Sequence, residues 1–332
     1  MQNLLIQIAP QRSTQYANLA VDLAPHELVL SSIRPNITTI QPVEIGGQHY
    51  LLCELDTPLD DTQLMTLGQL AMGSGFFWFY DQIADVAGPF LQPIETGFAP
   101  TFPHDLLTAR RYKGKTNELL TQFMLNVARF SSAFAHKPWS QLRVFDPLAG
   151  GGTTLFAALT LGADAIGIEQ NKKNAHATAV FLKQFAQEQR ISYDMKEERL
   201  KKLKAQRWQF TLNKKSDPKR CWIAKGELNQ APELLGGFKQ PHLIVTDLPY
   251  GIQHRGGLAD LLDEALPVWS SLLPPGGTLV FSWESTRFAR ERMIDHVEAA
   301  TELTVLEESP YNQLVHQVDR VIKKRDILVA RA

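Results

Sequence analysis

The run Leu243-Ile244-Val245-Thr246 is followed by Asp247-Leu248-Pro249-Tyr250-Gly251, and these residue types suit one chemical problem. The apolar run reads as a strand, and the Pro-Gly-containing turn leaves its carboxyl end. An exocyclic amino group on a nucleic-acid base is a poor nucleophile because its lone pair is delocalised into the ring. Two acceptors that hold its N–H groups favour a pyramidal, reactive nitrogen. The Asp247 carboxylate and the Leu248 carbonyl are suited to that task. Pro249 fixes the backbone and has no N–H to compete. The Tyr250 ring can stack on a base, an interaction worth roughly 1–3 kcal/mol. Attack by such an amine on an electrophilic methyl group needs in-line positioning, so orientation supplies much of the rate. No metal or covalent intermediate is required.

A second constellation lies upstream, in Phe145-Asp146-Pro147-Leu148-Ala149-Gly150-Gly151-Gly152-Thr153-Thr154. The glycines allow a tight turn and close backbone approach, and a helix opening at Thr153 offers unpaired N–H groups. No P-loop lysine follows. Asp146 at the strand end would repel a phosphate but could hold the ammonium of a methionine-type ligand. One βαβ step on, Ala165-Ile166-Gly167-Ile168-Glu169 places a second acid at a strand tip, where a carboxylate can accept from both hydroxyls of a ribose. Gln170 adjoins it. Glu227 is a further candidate, beside an adenine, a surface glutamate being the other reading. The expected ligand contacts are therefore Asp146, Pro147, Ala149, Gly150, Gly152, Thr153, Glu169, Gln170, Glu227 and Asp247.

These motifs need a scaffold, and the sequence supplies an alternation of strand-like and helix-like segments. Helical spacing over 117–134 places Leu120, Met124, Val127 and Ala128 on one face. Strands are expected at 142–145, 165–168, 221–224, 243–246, 278–282, 303–307 and 326–330. Helices are expected from 153, and over 172–189, 261–273 and 287–299. That order predicts an α/β domain over 101–332 with a Rossmann-like, seven-stranded, mostly parallel sheet. Residues 1–100 read as a smaller α+β domain, with short apolar runs at 27–33 and 49–54 broken by Pro and Gly. Within it, Phe76-Phe77-Trp78-Phe79-Tyr80 reads as a buried strand, base stacking being the other reading. The stretch 97–103 reads as a linker.

The glycine loop and the Asp-Leu-Pro-Tyr turn resemble the class I S-adenosylmethionine-dependent amino-methyltransferases that carry an Asp/Asn-Pro-Pro-Tyr motif. The segment Arg111-Tyr112-Lys113-Gly114-Lys115-Thr116-Asn117 is similar to the one preceding the cofactor motif in tRNA guanosine-N2 methyltransferases. The resemblance covers roughly residues 110–332. It implies S-adenosylmethionine at Asp146, Ala149, Gly150 and Glu169, and a base at Asp247, Leu248, Pro249 and Tyr250. Leu248 departs from the family pattern, where proline is usual; the backbone carbonyl survives that change. Asp-Leu-Pro-aromatic-Gly resembles a variant found among the guanosine-N2 enzymes, which tilts the expected target to guanine N2 in tRNA or rRNA. Residues 1–100 do not resemble the THUMP domain that delivers tRNA to such enzymes. Adenine N6 or cytosine N4 in DNA, a protein glutamine amide, and a non-catalytic cofactor- or RNA-binding role are the alternatives.

The formal net charge of -1 draws no polyanion globally. A basic insert over 194–220 holds Lys201, Lys202 and Lys204 together with Trp208 and Phe210. It reads either as a phosphate-contacting surface, RNA before DNA, or as a solvated helical arm. Lys323-Lys324-Arg325 reads as a basic turn, and His254 and Arg255 as part of a loop over the substrate. Cys53 and Cys221 are too far apart for a disulfide framework or zinc site, and the histidines lack metal-ligand spacing. No secretion signal or membrane span is expected. A reducing, cytoplasmic setting is the simplest expectation.

Overall fold

The computed structural model describes residues 2–10, 18–112, 114–249, 257–318 and 324–332. The chain divides into two compact units, one of residues 1–99 and 307–326, the other of residues 100–306 and 327–332. The segment 307–326 thus leaves the larger unit and joins the smaller one, whereas the sequence pattern predicts one domain running unbroken to 332.

In the first unit, β1 (Gln2–Ile8), β2 (Ile37–Ile45), β3 (Gln48–Leu55), β4 (Gly73–Ile83) and β5 (Val86–Pro93) form a sheet of order β2-β3-β1-β4-β5. All of its neighbours are antiparallel. The helices are α1 (Leu19–Leu30) and α2 (Asp61–Gln69). Asp60 and Gln63 cap α2 reciprocally. The buried Glu27 carboxylate of α1 accepts from the Ala71 and Met72 N–H groups, each at 2.9 Å. The aromatic run does form a strand, β4, but none of its residues is fully buried. Phe76–Phe79 are half-buried and Tyr80 is exposed, so the expectation of a buried strand is corrected.

The second unit begins with α3 (Asp105–Thr108) and α4 (Glu118–Ser131), followed by β6 (Arg143–Asp146), α5 (Thr153–Leu161), β7 (Asp164–Glu169) and α6 (Lys172–Glu188). Then come β8 (Tyr193–Leu200), β9 (Ala205–Leu212), β10 (Lys219–Lys225), α7 (Ala231–Leu234) and β11 (Leu243–Asp247). It closes with α8 (Gly257–Leu272), β12 (Thr278–Glu284), α9 (Arg290–Ala300) and β13 (Thr304–Val305). The short β14 (Val315–Gln317) pairs with β15 (Lys324–Arg331), whose end returns to this unit. The expected linker is partly structural: Phe102 is buried, and Thr101 donates its N–H to the Thr160 carbonyl at 2.9 Å.

The large sheet has ten strands rather than seven, in the order β13-β15-β12-β11-β6-β7-β10-β9-β8 with β14 beside β15. Its parallel part is the central run β12-β11-β6-β7-β10. The β8–β9 hairpin adds an antiparallel extension at one side. This hairpin is the basic insert, so it is neither a helical arm nor an interruption of the sheet. Trp208 and Phe210 on β9 are buried, with Trp208 edge-on to His176 of α6. Parallel strands covered on both faces need continuous apolar runs. Leu243, Ile244 and Val245 of β11, and Leu279, Val280 and Phe281 of β12, meet that need. Among the described residues no helix is long and apolar enough to cross a membrane.

Gly167 on β7 lies beneath the glycine loop. A Cβ there would fall 2.6 Å from the Ala149 Cβ and 2.9 Å from the Leu155 Cδ1. Gly167→Ala should therefore cost about 1–3 kcal/mol by overpacking. Urea denaturation measures this, and a variant as stable as the parent would contradict the close packing of loop on strand.

Candidate active site

The carboxyl ends of β6, β7, β10 and β11 open on one cavity of about 980 Å³. β7 and β11 run two residues beyond the end of β6, which lies between them, so the acids at the three tips surround one opening. Asp146 ends β6, Glu169 ends β7 and Asp247 ends β11; all three line the cavity, as do Glu227 and Glu264. Pro147, Ala149, Gly150, Thr153, Gln170, Leu248 and Pro249 line it too. Gly152 instead caps α5 in a left-handed conformation, φ +89°, and a Cβ there would meet Thr178 Cγ2 at 2.7 Å.

Asp146 is buried, and its Oδ1 accepts from the Leu148 N–H at 3.0 Å and from the Thr246 hydroxyl at 2.7 Å. Burial raises its pKa to about 6, with the nearby Asp247 charge adding to the rise; hydrogen bonds from Thr154, Thr246 and Leu148 oppose it. Burial also raises Glu169, again against hydrogen bonds from backbone N–H groups of Asn171 and Gly150. The Asn171 bond is 2.5 Å. Glu169 thereby ties the β7 tip to the glycine loop. Gln170 donates to Glu227 Oε2 at 2.6 Å, closing the adjacent wall.

The segment before α4 covers the loop. Arg110 donates to the Gly151 carbonyl at 2.6 Å and to the Thr178 hydroxyl at 2.8 Å. The Tyr112 ring lies against Gly151, where a Cβ would come within 2.1 Å of it, and its hydroxyl pairs with Thr153 at 2.8 Å. Further along, Thr116 donates to Asp247 Oδ2 at 2.7 Å. From the other side, Ser282 of β12 donates to Asp247 Oδ1 at 2.5 Å. Sequence reasoning assigns no role to Arg110, Thr246 or Ser282, and reads Tyr112 and Thr116 only as parts of a similar segment.

Leu248 is fully buried in the hydrophobic core, and its N–H donates to the Ser282 carbonyl at 2.9 Å. Leu248 thus belongs to the core and also lines the cavity. Tyr250, Gly251, His254, Arg255 and Lys323 lie outside the described residues. Lys201, Lys202 and Lys204 are exposed at the β8–β9 turn. That turn faces the same edge as the cavity, because Lys225, the last residue of β10, pairs with Gln206. The Leu203 carbonyl accepts from Gln230, which in turn caps the Glu227 turn. Other basic residues of the insert are engaged internally: Arg207 on Glu198, Lys219 on Asp217 and Arg220 on Asp164. Among the described residues no cluster of His, Cys, Asp and Glu could hold a metal ion.

No family model matches the chain, and no curated protein matches it. Among solved structures, TrmN from Thermus thermophilus aligns with 100% of this chain and 99% of its own at 13% identity and a TM-score of 0.47. The rRNA methyltransferase aviRa from Streptomyces viridochromogenes aligns with 70% of this chain and 91% of its own at 14% identity and a TM-score of 0.42. Magnesium protoporphyrin IX methyltransferase from Synechocystis aligns with 66% and 86% at 13% identity and a TM-score of 0.40. All three scores fall below 0.5, so the chemistry of the site rests on its own geometry.

A carboxyl group with a folded pKa near 6 and an unfolded one near 3.9 binds its proton more tightly when folded. Its favourable contribution is full below about pH 4 and is lost as pH rises through about 6, on the order of 3 kcal/mol in all. Asp146→Asn should flatten the stability profile between pH 4 and 7. Urea melts across that range test it, and an unchanged slope would remove Asp146 as the titrating group.

Proposed function

We propose that the chain is an S-adenosylmethionine-dependent N-methyltransferase acting on an exocyclic amino group of a nucleic-acid base, guanine N2 of tRNA or rRNA in particular. The observation that carries this reading is the opening of Asp247-Leu248-Pro249 onto the same cavity as the glycine loop, Asp146 and Glu169. The donor set suits this cofactor. The cavity wall is rich in carboxylates, and the guanidinium of Arg110 is engaged with Gly151 and Thr178. That environment favours a cationic ligand over a phosphate-bearing one. The cavity volume lies within the range of small-molecule sites.

When bound, S-adenosylmethionine supplies an electrophilic methyl group: the amino nitrogen's lone pair forms the new N–C bond, the C–S electron pair returns to sulfur, and the displaced amino proton leaves to solvent. Asp146 is assigned to an ammonium group and Glu169 to a ribose diol. Asp247 and the Leu248 carbonyl accept the N–H groups of the base, and Pro249 adds no competing donor. Tyr250 follows directly in sequence and is assigned to stacking on the base. The guanine assignment is supported by the similarity of residues 111–117 and 247–251 to guanosine-N2 enzymes.

An RNA substrate is supported by the lysine turn. Four inter-strand steps separate β11 from β9, so the turn lies about 19 Å along the rim from Asp247, a few nucleotides away on an extended strand. Residues 1–99, by contrast, carry ten carboxylates against Arg12 and Arg34 and contain no lysine. Phosphate binding is therefore assigned to the second unit.

Tritiated-methyl transfer to total RNA and total DNA, followed by nucleoside analysis, tests the function. N2-methylguanosine from RNA is expected; labelled N6-methyladenosine, or label only in DNA, would replace the guanine assignment. Asp247→Ala should lower transfer by at least a hundredfold while changing calorimetric cofactor affinity far less, and normal turnover would reject its role. Neutralising Lys201, Lys202 and Lys204 together should weaken RNA binding and lower its salt slope by two to three, roughly one for each phosphate no longer neutralised.

A further inference from the structure

We infer that Thr116 and Ser282 are positioning residues that lock the Asp247 carboxylate in the orientation needed to receive the amino group of the base. This rests on the role proposed above for Asp247. A carboxylate has about four lone-pair directions on two oxygens. Here each oxygen takes one hydroxyl donor, Thr116 on Oδ2 and Ser282 on Oδ1. The donors come from different elements, one ahead of α4 and one on β12, so together they fix both the tilt and the plane of the group. Each hydroxyl has a single hydrogen, and that hydrogen is committed to Asp247.

Both donors are themselves held. Asn117, next to Thr116, caps α4 by accepting from the Leu120 N–H at 3.1 Å. Lys115, on its other side, donates to the Leu107 and Arg110 carbonyls at 2.7 and 2.9 Å. Helix α4 is in turn tied to β12, where the Thr278 hydroxyl donates to the Ala128 carbonyl at 2.8 Å. Ser282 is fully buried and sits opposite Asp247 in the β11–β12 register. Its carbonyl accepts the Leu248 N–H as well. One serine thus straps both residues assigned as acceptors onto the neighbouring strand. Displacement of a reacting group by about 1 Å can cost on the order of a hundredfold in rate, so an unlocked carboxylate is expected to show in kcat.

The test uses the whole 332-residue chain. Thr116→Val keeps the shape and removes the donor; Ser282→Ala removes the other. Each should lower kcat ten- to a hundredfold, with cofactor Kd and RNA KM within about threefold of the parent and Tm little changed. Thr116→Ser should recover most of the kcat that Thr116→Val forfeits. The double variant should fall no further than Asp247→Ala, because the three act as one unit. A Thr116→Val enzyme with parental kcat overturns the inference, as does a defect confined to cofactor affinity or a failure of Thr116→Ser to rescue. A parent protein that binds cofactor but methylates no nucleic acid overturns the function first and this assignment with it.

Discussion

A carboxylate with almost no solvent exposure stands where the glycine loop, β6 and β11 meet. Removing a charge from water costs several kcal/mol unless partners replace the missing hydration. Asp146 receives a backbone donor from its own loop and a hydroxyl from Thr246 on the next strand. Those partners shape the loop and align β6 with β11, so the strand bearing Asp247 is brought into register with the strand that bears Asp146. The compensation is incomplete, and the carboxyl pKa stays near 6. An unliganded protein near neutral pH thus carries a buried negative charge in want of a cation. A cationic ligand arriving there completes an arrangement that the fold leaves unfinished.

The acids at the strand tips are legible in sequence for a plain reason. An apolar run that ends in Asp or Glu, with proline one or two residues on, announces both a buried strand and its carboxyl end, as at Asp146 and Asp247. The hydroxyl partners are not legible. Thr116 lies 131 residues from Asp247 and Ser282 lies 35 residues from it, and neither stands in a local pattern that marks a donor. Their roles arise only when α4 and β12 both pack against β11.

The hairpin of β8 and β9 reads as a charged interruption because half of its signal is missing. β9 alternates well enough to bury Trp208, Phe210 and Leu212, but no residue of β8 is buried. An outer strand in that position shows no apolar run, and its charges resemble those of a solvated helix. The opposite mismatch occurs in β4. Five successive aromatics suggest burial, yet a strand with half-open faces leaves each ring partly exposed. Residue type reports a preference for the pleated surface more reliably than it reports depth.

The packing of Tyr112 on Gly151 carries a mutational consequence. The ring occupies the space that any side chain at 151 would need. A β-carbon at 151 can be accommodated only if the ring at 112 swings aside, and with it the hydroxyl that pairs with Thr153. The two positions therefore constrain one another. A substitution at either place is thus a change to both, although they lie in separate motifs.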